Sequence, residues 1–224
     1  ECSLQRRNQK LMEEAPSVAL DMDQRNAIGT AAVRAALASG YKNAGTIEFL
    51  LDHCGNYYFM ELNARVQVEH PVTEMITGID IVREQILIAN LCKLNYSQED
   101  VQITGHAIEC RINAEDPARN FMPSVGRVSV LHFPGGPGVR FDTAMYTEYK
   151  IPPNYDSMIG KLIVHAPTRD MAMAKMRAAL TETVVDGVDT NVDFQLDLLS
   201  HPDVMEGKLD TGLIARIMNG KQGC

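Results

Sequence analysis

The sequence predicts an α+β chain in two parts, each combining antiparallel strands with flanking helices. Three observations carry that expectation. Phe59 to His70 separates by parity, with Glu61, Asn63, Arg65, Gln67 and Glu69 on one and Leu62, Ala64, Val66 and Val68 on the other. In an extended chain alternate side chains point to opposite faces, so this reads as a strand with one apolar and one polar face. Residues 23–39 and 168–184 instead keep the spacing of a helix with one apolar stripe. Between these groups, residues 95–105 are polar and irregular and divide the chain into 1–102 and 103–224.

Composition narrows the class of function. With 224 residues, 45% of them hydrophobic, there is material for one large core or two smaller ones. The net charge of -8, with no basic run beyond Gln5-Arg6-Arg7, excludes the electrostatic footprint of a nucleic-acid binder. No apolar stretch approaches the ~20 residues that cross a bilayer, and no signal peptide is visible. Cys2, Cys54, Cys92, Cys110 and Cys224 are scattered, with no close pair of the zinc-binding kind. They are expected to be free thiols in a reducing compartment, the cytoplasm. The chain opens on Glu1 rather than Met and is expected to be a piece of a longer protein.

In order along the chain, residues 1–22 read as a strand that places Arg6, Asn8 and Lys10 on one side, either a solvated edge or a cationic edge facing an anion. Asp23 is expected to cap a helix to Ser39, with Gly40 just past its end. Ile28, Ala31, Ala32, Ala35 and Ala36 form its narrow stripe of small residues, suited to close packing on a sheet. Residues 44–52 read as a strand, 53–56 as a turn, and Tyr57 opens the strand that Pro71 stops. With a four-residue loop, Asp52 faces Tyr57 and Glu48 faces Glu61. Two carboxylates directly across a strand pair repel, so a proton, a basic neighbour or a divalent cation must offset them, unless water separates them on an exposed face. Glu48, Glu61 and Asn63 are hard oxygen donors of the kind Mg²⁺ or Mn²⁺ takes.

After Pro71, residues 72–78 read as a short helix ended by Gly78. Asp80 falls in the first turn of the next, whose Arg83 and Glu84 suit a solvated face. Strands are expected at 106–113, 127–133, 139–142 and 155–165. Pro134-Gly135-Gly136-Pro137-Gly138 is turn chemistry, lacking the Lys-Ser/Thr and helix of a phosphate loop. It leads into Arg140, which is either aimed at a ligand or salt-bridged at the surface. Thr168 is expected to cap a helix carrying Ala172, Met176, Leu180 and Val184, ended by Asp186-Gly187. Further helices are expected from Asn191 to Ser200 and from Gly212 to Met218.

Taken together, the motifs resemble those of the biotin carboxylases, ATP-grasp enzymes that load CO₂ onto biotin. They are Gln5-Arg6-Arg7-Asn8-Gln9-Lys10, Gly45-Thr46-Ile47-Glu48-Phe49, Glu61 through Glu74, Arg111-Ile112-Asn113-Ala114-Glu115-Asp116-Pro117, Pro134 through Arg140, and Tyr155 through Leu162. They occur in the family's order along the whole chain, and the form from Arg111 to Pro117 looks most like the bacterial-type subunit of acetyl-CoA carboxylase.

The resemblance implies the C-terminal part of an ATP-grasp domain (1–102), an antiparallel sheet with flanking helices, followed by the family's C-terminal α+β domain (103–224). It implies that Glu48, Glu61 and Asn63 hold Mg²⁺ or Mn²⁺ against ATP, with Gln5 and Asn8 near the nucleotide. Many relatives carry His where this chain has Asn8. It implies a bicarbonate site of Lys10, Arg65, Gln67 and Val68, Glu69 as general base, and Arg140 as the arginine that steadies the biotin enolate. Arg65 and Arg140 would then act on developing charge. The implied partners are a biotin carboxyl carrier protein, carboxyltransferase subunits and a second copy of the full-length chain. The family's N-terminal domain and glycine-rich lid have no counterpart here, so these residues alone are expected not to turn over. Another biotin-dependent carboxylase, for pyruvate, propionyl-CoA or urea, and a non-catalytic dimerisation module are the competing readings.

Overall fold

Residues 1–221 are described, by a computed structural model; Cys224 lies outside the described residues. The N-terminal segment is a hairpin rather than one strand: β1 (Leu4–Arg6) and β2 (Gln9–Ala15) flank Arg7 and Asn8, both at positive φ. Two consecutive left-handed residues make the turn whose twist suits a hairpin, and Asn tolerates that conformation better than most residues. Arg6, Asn8 and Lys10 therefore do not share one strand face. Gln5 instead faces Lys10 across the pair.

Helix α1 (Met22–Ser39) starts two residues earlier than expected. Its cap is Asp21, whose carboxylate accepts the Gln24 N–H at 2.8 Å while the Gln24 side chain returns to the Asp21 N–H. That reciprocal box selects Asp21 over Asp23. Gly40 closes the helix at φ 66. The stripe from Ile28 to Ala36 is the half-buried side, but no residue of α1 is fully buried.

Next come β3 (Thr46–Leu51), β4 (Tyr57–Asn63), α2 (His70–Thr77) and α3 (Ile81–Ala89). Asp80 caps α3 from outside, accepting the Arg83 N–H at 2.8 Å. Arg83 is solvated as expected, but Glu84 beneath it is buried and takes the Arg83 guanidinium at 2.6 Å.

A 3₁₀ turn at Gln98–Asp100 leads to β5 (His106–Asn113), β6 (Glu115–Asp116) and a second 3₁₀ turn at Pro117–Arg119. After it run β7 (Met122–Pro123), β8 (Val130–His132), β9 (Val139–Thr143) and β10 (Met158–Ala166). The chain continues with α4 (Arg169–Glu182), β11 (Val184–Asp186), α5 (Val192–Leu199), α6 (Pro202–Met205) and α7 (Leu213–Lys221). Only the middle of the expected 127–133 strand forms, because its partner is the three-residue β11. Val184 belongs to that strand and not to α4, whose last turn ends where Thr183 becomes extended. Pro202 opens α6, as a residue that fits the first turn of a helix.

The central sheet is antiparallel in the order β1-β2-β5-β10-β9. On one face Ile108, Cys110, Ile112, Leu162 and Val164 join Met176 and Leu180 of α4 and Leu198 and Leu199 of α5. On the other, Ala107 and Ile163 receive Val72 and Ile76 of α2. Leu4, Leu11 and Met12 belong to the first of these cores. Residues 4–15 are thus hydrogen-bonded into the same sheet as strands beyond residue 103, and the sheet itself does not break at 102/103.

One buried ionic clasp ties this sheet to α4. Glu14 accepts from His106 Nε2 at 2.6 Å and from Arg169 at 2.7 and 3.0 Å, while Arg169 also caps the carbonyls of Val204 and Met205. At Gly187 the chain turns with φ 96, and a Cβ there would collide with the Arg127 carbonyl. Gly187→Ala is expected to destabilise by about 1–3 kcal/mol, read as a lower urea midpoint with unchanged slope.

Candidate active site

The β3–β4 hairpin sets two carboxylates face to face, by a route the sequence does not reveal. Its loop is five residues, 52–56, closed by Asp52, whose carboxylate accepts the N–H groups of Cys54 and Asn56 at 2.9 and 2.8 Å. Pairing therefore starts at Leu51 with Tyr57, one position out of the expected register. A bulge at Met60 then restores it, so that Glu48 faces Glu61 and Thr46 faces Asn63. Two departures cancel, and the bulge re-aims the acidic end of the hairpin.

The polar run after Asn63 is not strand. β4 ends there, residues 64–69 form a turn, and α2 begins at His70. Pro71 is favourable in the first turn of a helix, and the Gln67 carbonyl accepts from both the His70 N–H and its Nδ1. The expected pleated ribbon to His70 is corrected to strand, turn and helix. The polar groups nevertheless converge, because the turn folds them back over the hairpin end.

Lys10 Nζ lies at the centre, 2.6 Å from Glu69 Oε1 and 3.0 Å from Glu48 Oε1. Glu48 Oε1 also accepts from Gln67 Nε2 at 3.1 Å and Asn63 Nδ2 at 3.3 Å. The same Asn63 amide donates to Glu61 Oε1 at 2.8 Å. Arg65 leans along the cluster, within 3.3 Å of Gln67 Oε1 and 3.4 Å of Asn63 Oδ1. The Glu48–Glu61 repulsion is thus offset by an ammonium and two amides. Val68 presents its carbonyl to Lys161 Nζ at 2.6 Å. Gln5 is half-buried opposite Lys10, and Asn8 is exposed at the hairpin tip.

Burial alone would raise the Glu69 carboxyl, but the Lys10 ammonium and then Arg111 overcome it and hold it below the usual carboxylate range. Glu69 is therefore an ionised group with a cation on each side. Burial likewise opposes the Lys10 charge, and Glu69 and Glu48 more than restore it. Cys2, 3.8 Å from Glu69, is pushed up to about 12 by burial and stays a neutral thiol.

The arginine that reaches Glu69 is Arg111, not Arg140. Arg111 Nη2 lies 3.0 Å from Glu69 Oε2 and 2.6 Å from Glu13 Oε1. Arg140 is held by both oxygens of Asp142, at 2.7 and 2.8 Å, and by Glu74 Oε2 at 2.7 Å. It belongs to a neighbouring cluster with Glu74, Asp142, His70 and Lys161. Sequence reasoning set Arg111 in a motif but gave it no role. Its placement depends on β2 pairing with β5, a contact between segments nearly a hundred residues apart, with no local signal.

The donor set fits a hard divalent cation. Glu48 and Glu61 oppose each other, and Asn63 lies between them with a side chain whose oxygen and nitrogen can exchange places by a flip. Among the described residues no group of three or more His, Cys, Asp and Glu forms a closed metal cage. A cation at this pair would keep places for water or phosphate oxygens, as Mg²⁺ does.

Residues 109–216 match the family model described as the biotin carboxylase C-terminal domain, and residues 1–97 match that of the carbamoyl-phosphate synthase L chain ATP binding domain. Over 96% of its length the chain is 54% identical to the biotin carboxylase of Nostoc sp.. This chain belongs to the biotin carboxylase family. Biotin carboxylase 1 of Bacillus subtilis is likewise 54% identical over 94% of the chain. Among solved structures, the biotin carboxylase domain of Hydrogenobacter thermophilus 2-oxoglutarate carboxylase superposes with a TM-score of 0.94 at 49% identity, covering 96% of this chain and 48% of that one. That protein was crystallised as a dimer with MgADP, ADP and bicarbonate. Biotin carboxylase of Campylobacter jejuni gives a TM-score of 0.93 at 46% identity, again covering 96% of this chain and 48% of that one.

The chain spans about half the length of the curated biotin carboxylases it matches, 48% of the Nostoc protein and 47% of the Bacillus one. With residues 109–216 on the C-terminal domain, that half is the C-terminal one. The fold is accordingly the distal part of an ATP-grasp unit followed by the biotin carboxylase C-terminal domain. No helix among the described residues is long and apolar enough to cross a membrane.

Proposed function

We propose that this chain is the metal-, bicarbonate- and biotin-handling half of an ATP-dependent biotin carboxylase. The observation that carries this reading is the ionised Glu69 carboxylate clamped between Lys10 and Arg111, beside the opposed pair Glu48 and Glu61. Bicarbonate is a weak nucleophile. A carboxylate within hydrogen-bond reach takes its proton as the oxygen attacks the γ-phosphorus of ATP. The bond to the β-bridging oxygen breaks, leaving ADP and carboxyphosphate, which splits into CO₂ and phosphate. Phosphate takes the ureido proton of biotin and the freed nitrogen attacks CO₂.

Lys10, Arg65, Gln67 and Val68 surround the place for bicarbonate, and Gln5 and Asn8 lie on the hairpin beside the nucleotide. Glu48, Glu61 and Asn63 would hold Mg²⁺ or Mn²⁺, which when bound supplies positive charge beside phosphoryl oxygens. The role of steadying the biotin enolate passes from Arg140 to Arg111, since Arg111 borders Glu69 and Arg140 is occupied by Asp142 and Glu74.

The test is ADP release by the full-length protein in ATP, bicarbonate and free biotin. Release that requires biotin is expected; biotin-independent release overturns the reading. Residues 1–224 alone are expected to be inactive. Arg111→Lys should lower the biotin-dependent rate more than Arg140→Lys, and the reverse order would return the role to Arg140. Glu61→Gln should weaken Mg²⁺-dependent nucleotide binding by at least the ~10-fold typical of losing even an outer-shell partner, measured by calorimetry with and without the metal.

The final acceptor of the carboxyl group is proposed to be acetyl-CoA, on the form of the Arg111–Pro117 segment, with biotin carboxylation as the first half-reaction of acetyl-CoA carboxylase in fatty acid synthesis. The likeness to the biotin carboxylase subunit of a pyruvate carboxylase, at 49% identity and a TM-score of 0.94, keeps a second acceptor in view. An acceptor assay of the assembled complex decides between them. The proposed partners are a biotin carboxyl carrier protein, carboxyltransferase subunits and a second copy of the full-length chain. The proposed compartment is the cytoplasm, which suits the free thiols of Cys2, Cys54, Cys92 and Cys110.

A further inference from the structure

Behind Arg111 lie two carboxyl groups that the proposed chemistry does not use. Glu13 on β2 and Glu109 on β5 are directly paired across the sheet and are 1% and 0% exposed. Glu13 Oε1 accepts from Arg111 Nε at 2.7 Å and lies 2.6 Å from its Nη2. Glu13 Oε2 and both oxygens of Glu109 are buried with no protein hydrogen-bond partner. Of the three cations nearby, Lys10 is engaged by Glu48 and Glu69, and Lys161 by the Val68 carbonyl and Asp142. Arg111 alone reaches the pair, and it also serves Glu69. From above, α2 covers this side of the sheet with the apolar Val72 and Ile76, its titratable His70 and Glu74 being paired with each other at 3.8 Å.

Two adjacent carboxylates cannot both stay ionised with a fraction of one guanidinium between them. We propose that Glu13 and Glu109 are positioning residues: a carboxylate and a carboxylic acid that hold one proton between them and fix the aim of Arg111 on Glu69. The acid is Glu109, whose O–H can donate to the free Glu13 Oε2. Glu13 keeps the single charge that grips the Nε edge of Arg111 and leaves Nη2 turned to Glu69. Burial pushes both groups above the ordinary range, and the Glu13 charge pushes Glu109 further. A second carboxylate at 109 would draw the guanidinium back from Glu69. The shared proton prevents that.

The inference rests on the proposed function only for what Arg111 does in turnover, and its test uses none. Infrared spectra of this chain at neutral pH should show the carbonyl stretch of an un-ionised carboxylic acid, lost in Glu109→Gln and in Glu109→Met. Nitrogen-15 NMR should show a protected Arg111 Nε–H, unchanged in Glu109→Gln. In Glu13→Gln that N–H should exchange at least about tenfold faster, as expected when a charge-assisted hydrogen bond is lost. No un-ionised acid in the wild-type spectrum overturns the proposal, and so does an Arg111 signal that Glu109→Gln disturbs as much as Glu13→Gln. Absence of biotin carboxylation would count against the function and leave this pair standing.

Discussion

Glu69→Gln in the full-length enzyme is expected to lower biotin-dependent ATP cleavage by roughly 10²–10⁴-fold, the usual contribution of a positioned general base. The amide keeps the shape of the side chain but cannot take a proton. Stability should change little, because each cation that Glu69 touches keeps another partner: Lys10 retains Glu48, and Arg111 retains Glu13. A variant that loses rate and keeps its melting temperature therefore locates the effect in the chemistry. The wild-type pH profile carries the matching sign. Glu69 is held below the usual carboxylate range, so the limb caused by its protonation should lie in acid, with no loss as pH rises from 5 to 7. A limb near neutrality that vanishes in Glu69→Gln would mean that the environment raises this group, against the arrangement of Lys10 and Arg111.

Glu14→Ala should be the most damaging single change to stability, at about 3–5 kcal/mol, the cost of removing one partner from a buried ionic group. It strands the Arg169 guanidinium and the His106 ring beside the sheet, both of which point at Glu14 and are largely buried. It also unties α4 from β2. Thermal melts at pH 7 measure the loss. The pH dependence again has a definite sign. Burial alone would raise the Glu14 carboxyl, but the His106 and Arg169 hydrogen bonds outweigh it and hold it below its ordinary 4.5. The unfolded chain thus binds this proton more readily than the folded one. The stabilisation is present above the unfolded value and is lost as pH falls through the lower, folded value. The melting temperature of the wild type should drop through that acid window more steeply than that of Glu14→Ala.

Local patterns identified much of this molecule. Helices α1 and α4 follow from apolar spacing and from caps close by in sequence, α2 ends at Gly78 as expected, and α5 and β5 fall within or on the expected ranges. The opposition of Glu48 and Glu61 was legible as well, although the reasoning to it was incomplete. A one-residue longer loop and a bulge at Met60 offset each other, and neither leaves a mark in the residue pattern. The ribbon from Glu61 to Glu69 was misread beyond Asn63 because polar alternation describes a turn into a Pro-containing helix as well as it describes a strand.

What the sequence determined by itself is the set of chemical groups and the short-range geometry that carries them: hairpins, caps, and the acidic, amide and basic residues from 61 to 69. Which arginine meets Glu69 was decided only by tertiary structure. Arg111 arrives there, and Arg140 does not, because β5 lies beside β2 while β9 lies on the far side of β10. That strand order is set by burial of Leu4, Leu11 and Met12 in a core shared with residues a hundred positions away. Hydrophobic burial is non-directional and takes no account of separation along the chain, so a pairing it selects leaves no local trace of which charged groups it will bring together.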